Sequence, residues 1–328
     1  RVARSARAQS GAGSIFIKSS QSSCGKRNRT MELRGIFAPI TTPLSADGDS
    51  LLLDHLKTNF AFYNKTKLAG YVVGGSTGEA ILLSSAETDR VFAAVTEHAA
   101  PGKLLIAGTG MESRVETIAR TRRAAALGYK VVLVRTPHYY KPLMTHTALL
   151  EFFRGVADAS PIPVLIYSIP QFTGVEVPAE LVARLAEHPN ICGIKESWGK
   201  LTVVQEIIAA APKHFQTLVG SAAIIEPSLK LGAVGAILAL ADVVPDLCVE
   251  LYEAALVGSS ARAEEIQKQI APVAQKCVSE LGIAGVKFAM DRLGMFGGAV
   301  RSPLLPLTEE KKAAVISALA TLQISAAH

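Results

Sequence analysis

PVLIYSIP, residues 163–170, and ICGIKES, residues 191–197, decide the fold. Each is a short, continuous apolar run rich in β-branched residues, with a longer helical pattern between the two. Two buried strands joined through a helix pair in parallel, because a parallel connection has to cross back over the sheet. The same unit recurs outward in both directions. GIFAPITTP (35–43), GYVVGGS (70–76), LLIAGTG (104–110) and KVVLVRTP (130–137) precede it, and QTLVGS (216–221) and VGAILAL (234–240) follow. Segments such as SAETDRVFAAVTEHAA and VETIARTRRAAALG lie between, with apolar residues at helical spacing and Ser or Glu near their starts.

Eight such strands are the number that closes a (β/α)8 TIM barrel. A doubly wound open sheet is the alternative, but it would carry a dinucleotide loop after its first strand, and none is present. The reading is an α/β chain in three parts: a basic leader over 1–32, a barrel over 33–244, and a C-terminal helical region over 245–328. The last part is drawn from PDLCVELYEAALVG, SARAEEIQKQIAPVAQKCVSEL, IAGVKFAMDRLG and a helix from Thr308.

The net charge of +6 is unevenly spread. Residues 1–30 hold seven Lys or Arg and no acid, and without them the body stands at −1. The basic total therefore gives no reason to expect nucleic acid, and no basic stripe with interleaved aromatics occurs. The Ser- and Arg-rich leader, expected to be disordered, is either upstream sequence ahead of Met31 or an organellar address. The expected location is accordingly the cytoplasm, or the mitochondrial matrix if the leader is a transit peptide. No apolar run reaches the roughly 20 residues of a membrane span, so no membrane partner is expected. Four scattered cysteines and seven scattered histidines form no metal-ligand or disulfide pattern, and neither metal nor cofactor is expected.

In a TIM barrel, chemistry gathers where the strands end. Lys195 lies inside an apolar strand. Strand alternation turns it inward with Gly193 and sends Cys192 and Ile194 outward to the helices. The same alternation puts Leu165 and Tyr167 inside the neighbouring strand. An inward, desolvated lysine loses proton affinity, and its neutral amine can attack a carbonyl to form a Schiff base. The phenol beside it can shuttle protons. The GGSTGE turn, 74–79, offers consecutive backbone N–H groups and the Ser76 and Thr77 hydroxyls to a small carboxylate; a plain capped βα turn is the bland reading. Tyr139 and Tyr140 read as packing or interface aromatics, His138 as loop filler, and Glu79 and Glu196 as structural partners of backbone amides.

In order and spacing, GSTGE, YSIP, GIKES, GSA (220–222), GAIL (235–238) and RSPLLPL (301–307) resemble the pyruvate-dependent class I aldolases typified by dihydrodipicolinate synthase and N-acetylneuraminate lyase. The similarity runs from about Gly35 to about Leu307. The resemblance implies an imine between Lys195 and pyruvate, with Tyr167 as proton relay. It implies Ser76 and Thr77 on the carboxylate, Thr77 linking toward Tyr167, and Tyr139 completing a neighbouring subunit's relay. Ser197, Gly220 and Ile237 fall at pocket positions, and the implied assembly is a homotetramer made of two dimers. Dihydrodipicolinate synthases carry an arginine two residues past YxxP, where this chain has Phe172. The branch that looks closest is the 4-hydroxy-2-oxoglutarate aldolase type, which cleaves its substrate to pyruvate and glyoxylate. A dihydrodipicolinate synthase condensing pyruvate with aspartate semialdehyde is the alternative, and a non-catalytic keto-acid-binding barrel the distant one.

Overall fold

The structure, a computed structural model, describes residues 31–322. Eight parallel strands are present: β1 (Gly35–Ala38), β2 (Gly70–Val73), β3 (Leu104–Gly108), β4 (Val131–Arg135), β5 (Val164–Ser168), β6 (Ile191–Glu196), β7 (Gln216–Val219) and β8 (Gly235–Ile237). They close in sequence order, β8 returning to β1 through Gly35↔Gly235 and Phe37↔Ile237. The chain is an α/β barrel of the (β/α)8 type with helices after it. Every strand is shorter than its apolar run, because the runs continue past the last ladder bond into the loops that shape the barrel mouth.

Alternation sorts the strand residues into two layers. Phe37, Val72, Ile106, Leu133, Leu165, Tyr167, Leu218 and Ile237 fill the barrel interior. Ile36, Val73, Val132, Ile166, Ile194 and Ala236 face the surrounding helices. The helices start where the sequence offers caps. Ser84 and Glu87 form a reciprocal capping box for Ser85–His98, and Ser113 and Thr145 cap Arg114–Ala126 and His146–Ala159.

Residues 1–30 of the expected leader lie outside the described residues; of its last two, Glu32 is exposed and Met31 meets the start of β7. Gln216 receives the Leu33 N–H on its side-chain oxygen at 2.7 Å, and its amide nitrogen donates to the Met31 carbonyl at 2.7 Å. Leu33 is wholly buried in the interior layer. One expectation, the facing of Cys192 in β6, is corrected. Val164 pairs with Ile191 but Leu165 pairs with Gly193, so one extra residue bulges out of β6. The bulge turns Cys192 into the interior layer, while Ile194 faces outward as alternation requires.

Beyond β8 the chain is helical over Pro245–Leu256, Ser260–Val273, Gly282–Arg292 and Glu309–Ala320, the last capped by Thr308. The single helix predicted over 260–281 is interrupted. After Pro272, which has no N–H to donate, residues 274–280 widen into a π-helical turn.

Gly193 is where β6 tolerates no side chain, since a Cβ there would be driven into the Gln216 carbonyl of β7. Gly193→Ala is expected to cost about 1–3 kcal/mol, the usual penalty of overpacking. A lowered urea midpoint at unchanged slope checks this.

Candidate active site

β5 and β6 pair so that Tyr167 stands directly beside Lys195. The Lys195 ammonium nitrogen lies 4.3 Å from the centre of the Tyr167 ring, and Lys195 is 6% exposed. The Tyr167 hydroxyl is 3.4 Å from the Ser76 hydroxyl at the end of β2. The expected link through Thr77 is not what the structure has; Ser76 occupies that place, and Thr77 makes no side-chain hydrogen bond among the described residues.

The 74–79 turn is built to present amides. Gly78 and Glu79 donate their N–H groups back to Gly75 and Ser76, whereas those of Ser76 and Thr77 have no acceptor among the described residues. Two adjacent unused donors make the concavity that a carboxylate needs. Glu79 ends the turn with φ 57°, in the left-handed region. It is fixed there by the C-terminal helices: its carboxylate meets the fully buried Lys287 at 2.5 Å and accepts the Arg301 N–H at 2.7 Å. Burial pulls the Lys287 ammonium below its ordinary pKa, and Glu79 opposes that pull. Arg301 also clasps both oxygens of Glu87 at 2.8 and 3.0 Å, which draws the Glu87 carboxyl down to about 2.

Ser197 and Gly220 are coupled. A Cβ at 220 would overlap the Ser197 hydroxyl, which is buried without a partner among the described residues. Ile237 belongs to the interior layer. Glu196 receives the Trp198 N–H at 2.5 Å, the structural part expected of it, and burial raises its pKa. Tyr139 is 76% exposed, stacks edge-on against Tyr140, and forms no hydrogen bond with Tyr167 among the described residues.

A cavity of about 440 Å³ opens over the ends of β2 to β5 and includes Ser76 and Tyr167 in its lining. Three charged or titratable groups that sequence reasoning passed over share this wall: Arg120, Arg135 and His138. Arg135 was legible in principle, because Val131, Leu133 and Arg135 alternate onto one face. Arg120 was not, because it sits on a helix. His138 is no filler. Its ring nitrogen lies 2.8 Å from both the Arg135 guanidinium and the Glu112 carboxylate; burial followed by the Arg135 charge pushes its pKa down, and Glu112 opposes this. Phe172 lines the same cavity and is 66% exposed.

Against known proteins, the profile of the Dihydrodipicolinate synthetase family matches residues 32–322. The chain belongs to that family. It is a carbon–carbon lyase of the class I aldolase kind. A 4-hydroxy-tetrahydrodipicolinate synthase of Methanothrix thermoacetophila is 40% identical over 281 residues, covering 85% of this chain and 94% of that one. A protein of the same name from an Exiguobacterium species is 34% identical over 87% of this chain and 96% of its own. Among solved structures, the Aquifex aeolicus dihydrodipicolinate synthase superposes with a TM-score of 0.83 at 30% identity, covering 88% of this chain and 97% of that one. The chloride-inhibited Acinetobacter baumannii enzyme complexed with pyruvate superposes at 0.85 and 29% identity, covering 89% and 99%. These relatives overturn the expectation of a 4-hydroxy-2-oxoglutarate aldolase, since their names are those of the synthase that stood as its alternative.

Below the mouth, Asp242 is wholly buried, and neither carboxyl oxygen has a hydrogen-bond partner among the described residues. Burial pushes its pKa well above the ordinary carboxylate range; the Tyr63 hydroxyl and the Lys195 charge oppose this. A carboxyl raised in the folded state lowers stability as pH climbs through and above the unfolded value near 4. Asp242→Asn is therefore expected to raise the melting temperature, and to raise it more at pH 8 than at pH 5. An equal or larger gain at pH 5 would contradict the assignment.

Proposed function

We propose that the protein joins pyruvate to aspartate semialdehyde through an imine on Lys195, the reaction for which its relatives are named. The observation that supports this best is the buried contact of Lys195 with Tyr167, whose hydroxyl meets Ser76. A lysine in so dry a place stabilises little by itself; its use is as the amine that bonds to a ketone carbon.

The chemistry runs as follows. The pyruvate carboxylate lies against the Ser76 and Thr77 amides, which presents its ketone carbon to the lysine. The amine adds to C2, and the carbinolamine loses water to give the imine. The protonated imine withdraws electrons, so C3 loses a proton and becomes the nucleophilic carbon of an enamine. That carbon attacks the aldehyde, a C–C bond forms, and the aldehyde oxygen takes a proton. The amine of the semialdehyde then displaces Lys195 from C2, which closes the ring and frees the enzyme. Tyr167, adjacent to the amine and within reach of the Ser76 hydroxyl, is the group placed to carry protons in these steps. Ser197, Gly220 and Ile237 shape the pyruvate end of the site. Tyr139, exposed on its own subunit, is assigned to a neighbouring subunit's relay in a homotetramer.

Borohydride added with pyruvate is expected to leave a reduced adduct on Lys195, read by peptide mass; an unmodified Lys195 would overturn the imine. Purified protein is expected to consume pyruvate and semialdehyde together, and negligible turnover would overturn the choice of aldehyde. Pyruvate binding without turnover of any aldehyde would favour the non-catalytic barrel. Tyr167→Phe is expected to lower kcat by about 10²- to 10⁴-fold, the usual worth of a positioned proton carrier.

A further inference from the structure

We propose that Arg120 and Arg135 form a subsite for the carboxylate of the aldehyde substrate that condenses with pyruvate. The proposal rests on the pyruvate-imine reading and adds to it the residues that select the second substrate.

The need for such a subsite follows from Phe172. It lies in the cavity at the position where an arginine was expected, and a phenyl ring cannot pair with a carboxylate. The cavity nevertheless holds two guanidinium groups on its wall. Arg135 ends β4 in register with Tyr167 and on the inward face, so the catalytic tyrosine and this cation are neighbours across the strand pair. Space for its stem comes from Gly110, where a Cβ would stand 2.9 Å from the Arg135 Cγ.

Arg135 is anchored by one nitrogen. Nη1 donates to Glu112 at 2.8 Å and to the Thr136 carbonyl at 3.2 Å, and lies 2.8 Å from His138 Nδ1, which is itself 2.8 Å from Glu112. The other Glu112 oxygen accepts the N–H groups of His138 and Tyr139 at 2.9 and 3.0 Å, which fixes the loop beyond β4. Nε and Nη2 of Arg135 have no acceptor among the described residues. A guanidinium held at one corner with an open edge is suited to bidentate recognition of a carboxylate.

Arg120 supplies the second, independent observation. It is 3% exposed, yet no carboxylate lies within ion-pair distance among the described residues. Nη2 reaches only the Ser85 hydroxyl at 3.3 Å, and Nε is buried without any acceptor. Burial lowers the pKa of this guanidinium, the Arg123 and Arg135 charges lower it further, and the more distant Asp89 and Glu116 carboxylates oppose them. A buried cation with no carboxylate in contact is costly, and an arriving anion reduces that cost. The amides of Ser76 and Thr77 serve the pyruvate carboxylate, so the two arginines are left for the other substrate's.

The test compares Arg135→Met, Arg120→Met and Arg135→Lys with the wild type on aspartate semialdehyde and on propanal, an aldehyde without a carboxylate. Both Met variants are expected to raise the KM for the semialdehyde by about tenfold to a hundredfold, the worth of a lost charged hydrogen bond. Their turnover of propanal and their borohydride trapping of pyruvate are expected to follow the wild type. Arg135→Lys restores part of the lost affinity. Equal loss on both aldehydes, or no loss on either, overturns the proposal. Arg135→Met decides the matter alone if Arg120→Met fails to fold, because Arg135 is the less buried of the two. If the wild type forms the imine but does not use the semialdehyde, the synthase reading fails separately. Calorimetric titration of pyruvate-loaded protein with succinate then tests the subsite: binding that is lost in Arg135→Met sustains it, and absent or unchanged binding overturns it.

Discussion

The register in which β5 pairs with β6 is the constraint on which the chemistry depends. A residue extra in β6 at Cys192 shifts the ladder so that Lys195 falls opposite Tyr167. A shift of one residue the other way would send the lysine out among the helices and replace it with an apolar side chain. Gly193 makes the bulge sterically acceptable by leaving room for the Gln216 carbonyl. Below the pair, a closed interior layer of Leu, Ile, Val and Phe excludes water. The same closure that stabilises the barrel keeps the lysine dry.

The amide-presenting turn after β2 depends on a different device. Its left-handed Glu79 would relax in isolation, since φ above zero is unfavourable for a residue with a Cβ. Lys287 and the Arg301 backbone hold it from the C-terminal region, and the Arg301 side chain ties the same segment to Glu87. A buried ion pair of this kind contributes little net stability, because desolvation offsets its attraction. Breaking one side is costly, however, so it fixes geometry well. The helices after the barrel are thus part of the site without touching its cavity through these charges.

The turn after β2 and two guanidinium groups, Arg120 and Arg135, share the wall of one cavity. The Glu112 carboxylate and the loop beyond β4 hold Arg135 through only one of its nitrogens. The cavity's positive character belongs to this local arrangement of Arg120 and Arg135.

Periodicity carried most of the architecture. Eight apolar runs with helices between them specify a closed parallel sheet, because each run has to be covered on both faces. Alternation within β5 was enough to turn Tyr167 inward, and the ordered motifs located Lys195 and the 74–79 turn. The bulge escaped such reasoning: a strand's side-chain period is two only while the ladder is regular, and nothing in ICGIKES signals where it slips. Ser76 in place of Thr77 beside the phenol, and Arg120 and Arg135 on one wall, depended likewise on how separate elements meet. The sequence by itself determined the strand and helix order and the family motifs, since these follow from local pattern. Only the tertiary structure decided which hydroxyl meets the phenol, which amides stay unused and which cations face the cavity. Those are distances between residues far apart in the chain, and packing alone sets them.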